Sequence, residues 1–189
     1  MIYLASASPR RAELLRQIGV EFEVCAVDID ESQLPGESDR DYVCRLARGK
    51  AEQAAEVIAA EQSDYAIVAA DTAISLDGDI IGKPADRAEC RCILDRLSGR
   101  QHRVLSGVAL ATPEGIHLRL SENRVRFRSL SAAEINLYCA SEEPMDKAGA
   151  YAIQGRAAIF IEHLEGSYSA VMGLPLYETA ELLRNVDLI

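Results

Sequence analysis

The segment Ser6-Ala7-Ser8-Pro9-Arg10-Arg11 sets two hydroxyls, a proline and two guanidiniums side by side. It follows a short apolar run, Ile2 to Ala5, read as a buried strand. It precedes a helix with an apolar face of Leu14, Leu15 and Ile18, stopped by Gly19. Ser8 is the expected cap and Pro9 the first helical residue. A helix N-terminus presents unpaired N–H groups and the positive end of the dipole, a ready seat for an anion. Cations are disfavoured in that first turn. Arg10 and Arg11 therefore belong either to a capped helix with solvated arginines or to a cradle for phosphate. The segment is not a Walker A loop, because the spaced glycines and the Gly-Lys-Ser/Thr ending are missing.

Other candidates follow along the chain. Lys50 falls inside the apolar stripe of a long helix predicted from Ser38 to about Glu61, among Val43, Leu46, Ala47, Ala51, Ala54 and Ile58. It either snorkels to solvent or reaches into a cleft. Asp71-Thr72 follows the apolar run Tyr65 to Ala70, where a carboxylate at a strand end can accept a proton or hold a metal. Asp28, Asp30 and Glu31 form an acidic loop that is either solvated or a hard-cation site. Pro84 holds Lys83 extended in Gly82-Lys83-Pro84. In the stretch Asp146 to Gly155, Lys147 supplies a cation and Gln154 an amide able to read a base edge. Cations and strand-end carboxylates in one acidic chain suit phosphate plus a hard divalent metal.

The elements that must position these groups alternate. A second strand is expected over Phe22 to Val27, and a hairpin joins Ala73–Leu76 to Ile80-Ile81 through Asp77-Gly78-Asp79. A helix over Arg87–Leu97 comes next, then strands Val104–Ala111 and Ile116–Phe127 around a Pro113-Glu114-Gly115 turn. Ser131 opens a helix with Glu134 at the capping-box position. Ala157–Leu164 reads as a strand and Pro175–Arg184 as a closing helix. This pattern predicts an α/β fold with a mixed sheet, as one domain over residues 1–189. The net charge of -10 argues against a nucleic-acid partner. No stretch is long and apolar enough to span a membrane, and no signal peptide is read, so a cytoplasmic protein is expected. The five cysteines are odd in number and scattered, so free thiols are expected. The dispersed His102, His117 and His163 argue against a soft-metal site.

Taken in order, these motifs resemble the Maf family of nucleotide pyrophosphatases. The match runs through Ser6–Arg11, Arg45-Leu46-Ala47 with Lys50-Ala51, Ala70-Asp71-Thr72, Gly82-Lys83-Pro84, Lys147-Ala148-Gly149 with Gln154-Gly155, and Val171–Pro175. The resemblance implies a mixed twisted sheet flanked by helices, with two lobes around a deep cleft, similar to inosine triphosphate pyrophosphatases. It implies cleavage of a nucleoside triphosphate to monophosphate and pyrophosphate with a divalent cation, Mg²⁺ or Mn²⁺. By the same resemblance Asp71 is the catalytic carboxylate. Glu31 and Lys83 join it, and Asp71 with Glu31 holds the metal. Ser6, Ser8, Arg10, Arg11, Lys50, Thr72, Lys147 and Gln154 contact substrate. Arg10, Thr72 and Gln154 match the subgroup acting on dTTP and UTP, with modified pyrimidine nucleotides as further substrates. The subgroup similar to 7-methyl-GTP pyrophosphatases carries Trp, Gln and Glu at those positions. A homodimer and a link to septum formation are implied too, the latter leaving a division-regulating interaction role as the alternative.

Overall fold

A computed structural model describes residues 1–189. The elements run β1 (Ile2–Leu4), α1 (Pro9–Gln17), β2 (Glu23–Val24), α2 (Asp39–Ala59), β3 (Ala66–Leu76), β4 (Asp79–Ile81) and α3 (Arg87–Leu97). Then come β5 (Gln101–Thr112), β6 (Gly115–Phe127), α4 (Ala132–Cys139), β7 (Ile161–Glu165), α5 (Tyr168–Met172) and α6 (Leu176–Arg184). The sheet has seven strands in the order β2-β1-β3-β5-β6-β7, with β4 added to β3. β1 is parallel to β2 and β3, and the remaining pairs are antiparallel. The α/β class and mixed sheet are as expected. No helix is long and apolar enough to cross a membrane.

The strand period of two sorts the core into faces. Ile67 and Ala69 of β3, with Ala109 and Ala111 of β5, pack with Ala47, Ala51 and Ala54 of α2. Small residues let α2 lie close on the sheet. At Gly107 a Cβ would come 2.8 Å from the Val43 carbonyl oxygen, so the crossing needs glycine there. On the other face Val68, Ala70, Val108 and Leu110 meet Leu14 and Leu15 of α1 and Leu182 and Leu183 of α6. A third cluster joins α3, α4 and the 150–160 segment to the far end of β3 and β5.

Four expectations are corrected. β3 does not stop at Ala70: β5 pairs with it from Ile67 through Ser75, so the ladder carries the chain through Asp71 and Thr72 without a break. The predicted strand Ala157–Leu164 begins only at Ile161, because Arg156–Phe160 winds into a 3₁₀ turn that buries Ala157 and Phe160. Phe22–Val27 contributes only Glu23–Val24 to the sheet. Cys90 and Cys139 are bonded rather than free thiols, tying α3 to α4 across 49 residues of sequence, while Cys25, Cys44 and Cys92 are free. The capping box of Ser131 and Glu134 forms as predicted.

His102 packs against Phe127 and Tyr151 of the third cluster, 2% exposed, with Nε2 on the Tyr151 hydroxyl at 2.8 Å and Nδ1 without a partner. Burial lowers its pKa from 6.5 to about 4. Between those values the unfolded chain binds a proton that the folded chain does not, so stability falls as pH falls through that window. The expected loss from this group is ~3 kcal/mol between pH 7 and pH 4. Urea unfolding of His102→Gln, compared with the parent at both pH values, should show a shallower decline.

Candidate active site

The site lies where the sheet is incomplete. β5 occupies one edge of β3 throughout. On the other edge β1 pairs only with Ala66–Val68 and β4 only with Ile74–Leu76. Between them the edge is bare, and Asp71 and Thr72 stand in that gap. β1 runs into it through Ala5 and Ser6, and β4 runs into it from the other side through Gly82 and Lys83. A cleft of about 640 Å³ opens there, and Ser6, Ser8, Arg10, Arg11, Glu31, Lys50, Asp71, Thr72, Lys83, Lys147 and Gln154 all line it. Asp71 thus stands inside its strand rather than after it, and it is the uncovered edge of β3 that opens it to the cleft.

Successive side chains of β3 point to opposite faces. Asp71 turns toward α2, where Lys50 Nζ donates to its Oδ1 at 2.7 Å and to Glu31 Oε1 at 2.6 Å. Lys50 and Asp71 are buried, at 8% and 7% exposed, so Lys50 reaches the cleft rather than solvent. Partial burial works to raise the Glu31 pKa. The hydrogen bond from Lys50 and the charges of Lys50, Lys83 and Arg11 outweigh it and hold the carboxyl below its ordinary range.

Arg11 is oriented from two sides: its Nε donates to the Gly173 carbonyl at 2.8 Å and its Nη1 to Ser6 Oγ at 3.3 Å. Burial lowers its pKa, Arg10 adds to that, and Asp71 and Glu31 oppose it. Ser8 caps α1 by position but makes no side-chain bond to it; instead its N–H donates to Ser6 Oγ at 3.2 Å. Arg10 lies 3.8 Å from Asp146, which also pairs with Lys147.

Two loops complete the walls. Asp30 and Asp28 do not join Glu31; Asp30 accepts from the Ser32 N–H at 2.8 Å and shapes its own loop. Arg45 pins that loop, donating to both oxygens of Glu37 at 2.6 and 2.8 Å and to the Ser32 carbonyl at 3.0 Å. Tyr42 adds a hydroxyl bond to the Glu31 carbonyl at 3.0 Å. Arg45→Ala should free this loop and lower activity, yet add little in a Glu31→Gln background, because coupled residues are not additive. Steady-state rates of the two single variants and the double variant check this.

The second loop is held by Glu143, which accepts from the Tyr138 hydroxyl and the Arg156 N–H at 2.9 and 3.0 Å. A Cβ at Gly155 would stand 2.3 Å from its Oε1, which explains the glycine after Gln154. Lys147 Nζ donates to the Glu143 carbonyl at 2.6 Å. Tyr42, Glu143 and Ser106 stand in none of the motifs. Arg45 opens one of them and Asp146 begins the Gly-containing stretch, yet the sequence gives neither a role.

No group of three or more acidic, histidine or cysteine side chains gathers here. Asp71 and Glu31 nevertheless converge on one ammonium. A hard-oxygen pair of that kind can converge on a divalent cation, which takes its remaining ligands from water and phosphate. The donor set therefore fits such an ion.

A mixed α/β sheet with a carboxylate in a gap between strands, under a wall of guanidiniums and ammoniums, defines a protein that receives an anionic small molecule. Residues 1–186 match the family described as Maf-like protein. The chain is 52% identical to the dTTP/UTP pyrophosphatase of Aromatoleum aromaticum, covering 97% of this chain and 94% of that one. It is 50% identical to the dTTP/UTP pyrophosphatase of Bordetella pertussis, covering 99% and 93%. Among solved structures, the Ham1 protein of Staphylococcus aureus superposes with a TM-score of 0.58 at 13% identity over 98% of this chain and 99% of that chain, a likeness of fold. The chain belongs to the Maf family.

Proposed function

We propose that the protein hydrolyses dTTP and UTP, and pyrimidine nucleotides modified on the base, to the monophosphate and pyrophosphate. The observation that carries the reading is Asp71, a buried carboxylate in a strand gap, facing a cleft lined with cations. The names of the relatives at 50–52% identity support the substrate. Arg10, Arg11 and Lys50, with Ser6, Ser8 and the N–H groups opening α1, hold the triphosphate. Asp71 accepts a proton from a water whose oxygen bonds the α-phosphorus as the bond to the bridging oxygen of pyrophosphate breaks. Lys83 and Lys147 offset charge on the phosphoryl oxygens. Asp71 and Glu31 hold a divalent cation, Mg²⁺ or Mn²⁺, which when bound neutralises phosphate charge. Thr72 and Gln154 face the nucleoside. The whole chain works as one catalytic unit, in the cytoplasm and as a homodimer, without nucleic acid.

The test is a nucleotide panel with Mg²⁺ and with Mn²⁺, analysed for products. Pyrophosphate and monophosphate from dTTP and UTP are expected. Orthophosphate with a diphosphate, or no turnover of these two, overturns the reading. Gln154→Glu should shift the ratio of UTP to 7-methyl-GTP turnover; an unchanged ratio removes Gln154 from substrate choice.

A further inference from the structure

The register of β3 and β5 sets Thr72 directly opposite Ser106, and the two side chains meet on the sheet face away from α2. Ser106 is 0% exposed, so no water reaches it. Its Oγ lies 2.7 Å from the carbonyl oxygen of Ala170 and 2.8 Å from Thr72 Oγ1. A carbonyl carries no proton, so the first contact requires the single hydroxyl proton of Ser106 between the two oxygens. The second contact then needs a proton that Ser106 no longer has, and only Thr72 can supply it. The Thr72 proton therefore points back into the sheet. Its open side, on the cleft wall close to Gly173, presents lone pairs alone.

We infer that Thr72 is an acceptor-only specificity oxygen, its polarity set by Ser106 and the Ala170 carbonyl, which takes a hydrogen-bond donor from the nucleoside part of the substrate. This rests on the pyrimidine-nucleotide reading given above. Phosphate oxygens are themselves acceptors and do not match it. Uracil and thymine carry an N–H at ring position 3, where cytosine carries a bare nitrogen. The 3′-hydroxyl of the sugar is the second source of a donor. Ser106 touches no substrate and is a positioning residue.

Binding of non-hydrolysable α,β-imido analogues tests this apart from catalysis. Dissociation constants are measured for the imido analogues of UTP, CTP, dTTP and 2′,3′-dideoxy-TTP. Ser106→Ala removes the inner acceptor and lets the Thr72 hydroxyl turn and donate outward. A preference for the UTP over the CTP analogue that falls by about tenfold identifies the base N–H as the donor. An equal fall in the dTTP over dideoxy preference identifies the sugar hydroxyl. Thr72→Val keeps the shape without the oxygen and should cause the same fall, which covers a Ser106→Ala protein that does not fold. Both preferences staying within about twofold of the parent in either folded variant overturns the inference. If the parent binds the analogues with these preferences but releases no pyrophosphate from dTTP or UTP, the hydrolytic reading fails and the Thr72 assignment stands.

Discussion

Asp71→Asn is expected to lower pyrophosphate release from UTP by a factor on the order of 10²–10⁴, the usual contribution of a positioned general base. The fold should survive. Asn has the shape of Asp and keeps an oxygen for Lys50 Nζ, which also retains its bond to Glu31 at 2.6 Å. The strand is secured by pairing with β5 on both sides of position 71. Initial rates with UTP, together with the melting temperature, decide the matter. Turnover near that of the parent in a folded Asp71→Asn protein would sink the assignment of Asp71 as base.

Lys50→Met should strike stability as well as rate. The ammonium joins a buried carboxylate to one that is 45% exposed at the side chain. Glu31 can return to solvent when Lys50 is lost, but Asp71 cannot, and removing one partner of a buried pair typically costs roughly 3–5 kcal/mol. Activity should fall by on the order of 10² or more, as when one group that stabilises developing charge is removed. The double variant Lys50→Met/Asp71→Asn separates the causes. With neither charge present, most of the lost stability should return while activity stays absent. If urea unfolding shows the double variant as weak as Lys50→Met, the loss lies in packing around α2 and not in an orphaned carboxylate.

Local chemistry is legible in this sequence where it is self-contained. The α3 bounds, Arg87 and Leu97, are those the periodicity gives. Ser131 and Glu134 hold each other reciprocally within one helical turn. Legibility fails where a distant partner decides. Asp71 looks like the residue after a strand, because a charge ends the apolar run. The ladder from β5, more than thirty residues later, keeps it in β3. A helical wheel puts Lys50 on the buried stripe but cannot show that two carboxylates await it. Cys90 and Cys139 share no motif and meet only because α3 and α4 pack together. α5 has five residues, too short a run for helical periodicity to register. The candidate residues are gathered by motif order, whereas Ser106 lies in no motif and takes its part from register, and Arg45, though it opens a motif, takes its part from loop packing.

Arg10 and Arg11 occupy the first turn of α1, with Lys50 and Lys83 lining the same cleft. Burial and then Arg10 lower the pKa of Arg11, and like charges at the positive end of a helix dipole repel unless an anion lies between them. An anion that relieves this repulsion binds the folded chain and not the unfolded one. Folding and nucleotide concentration are thereby thermodynamically linked. A ligand at a hundred times its dissociation constant adds about 2.7 kcal/mol to the free energy of unfolding. The amount of this protein that survives at a given temperature thus becomes a readout of the nucleotide pool it acts upon.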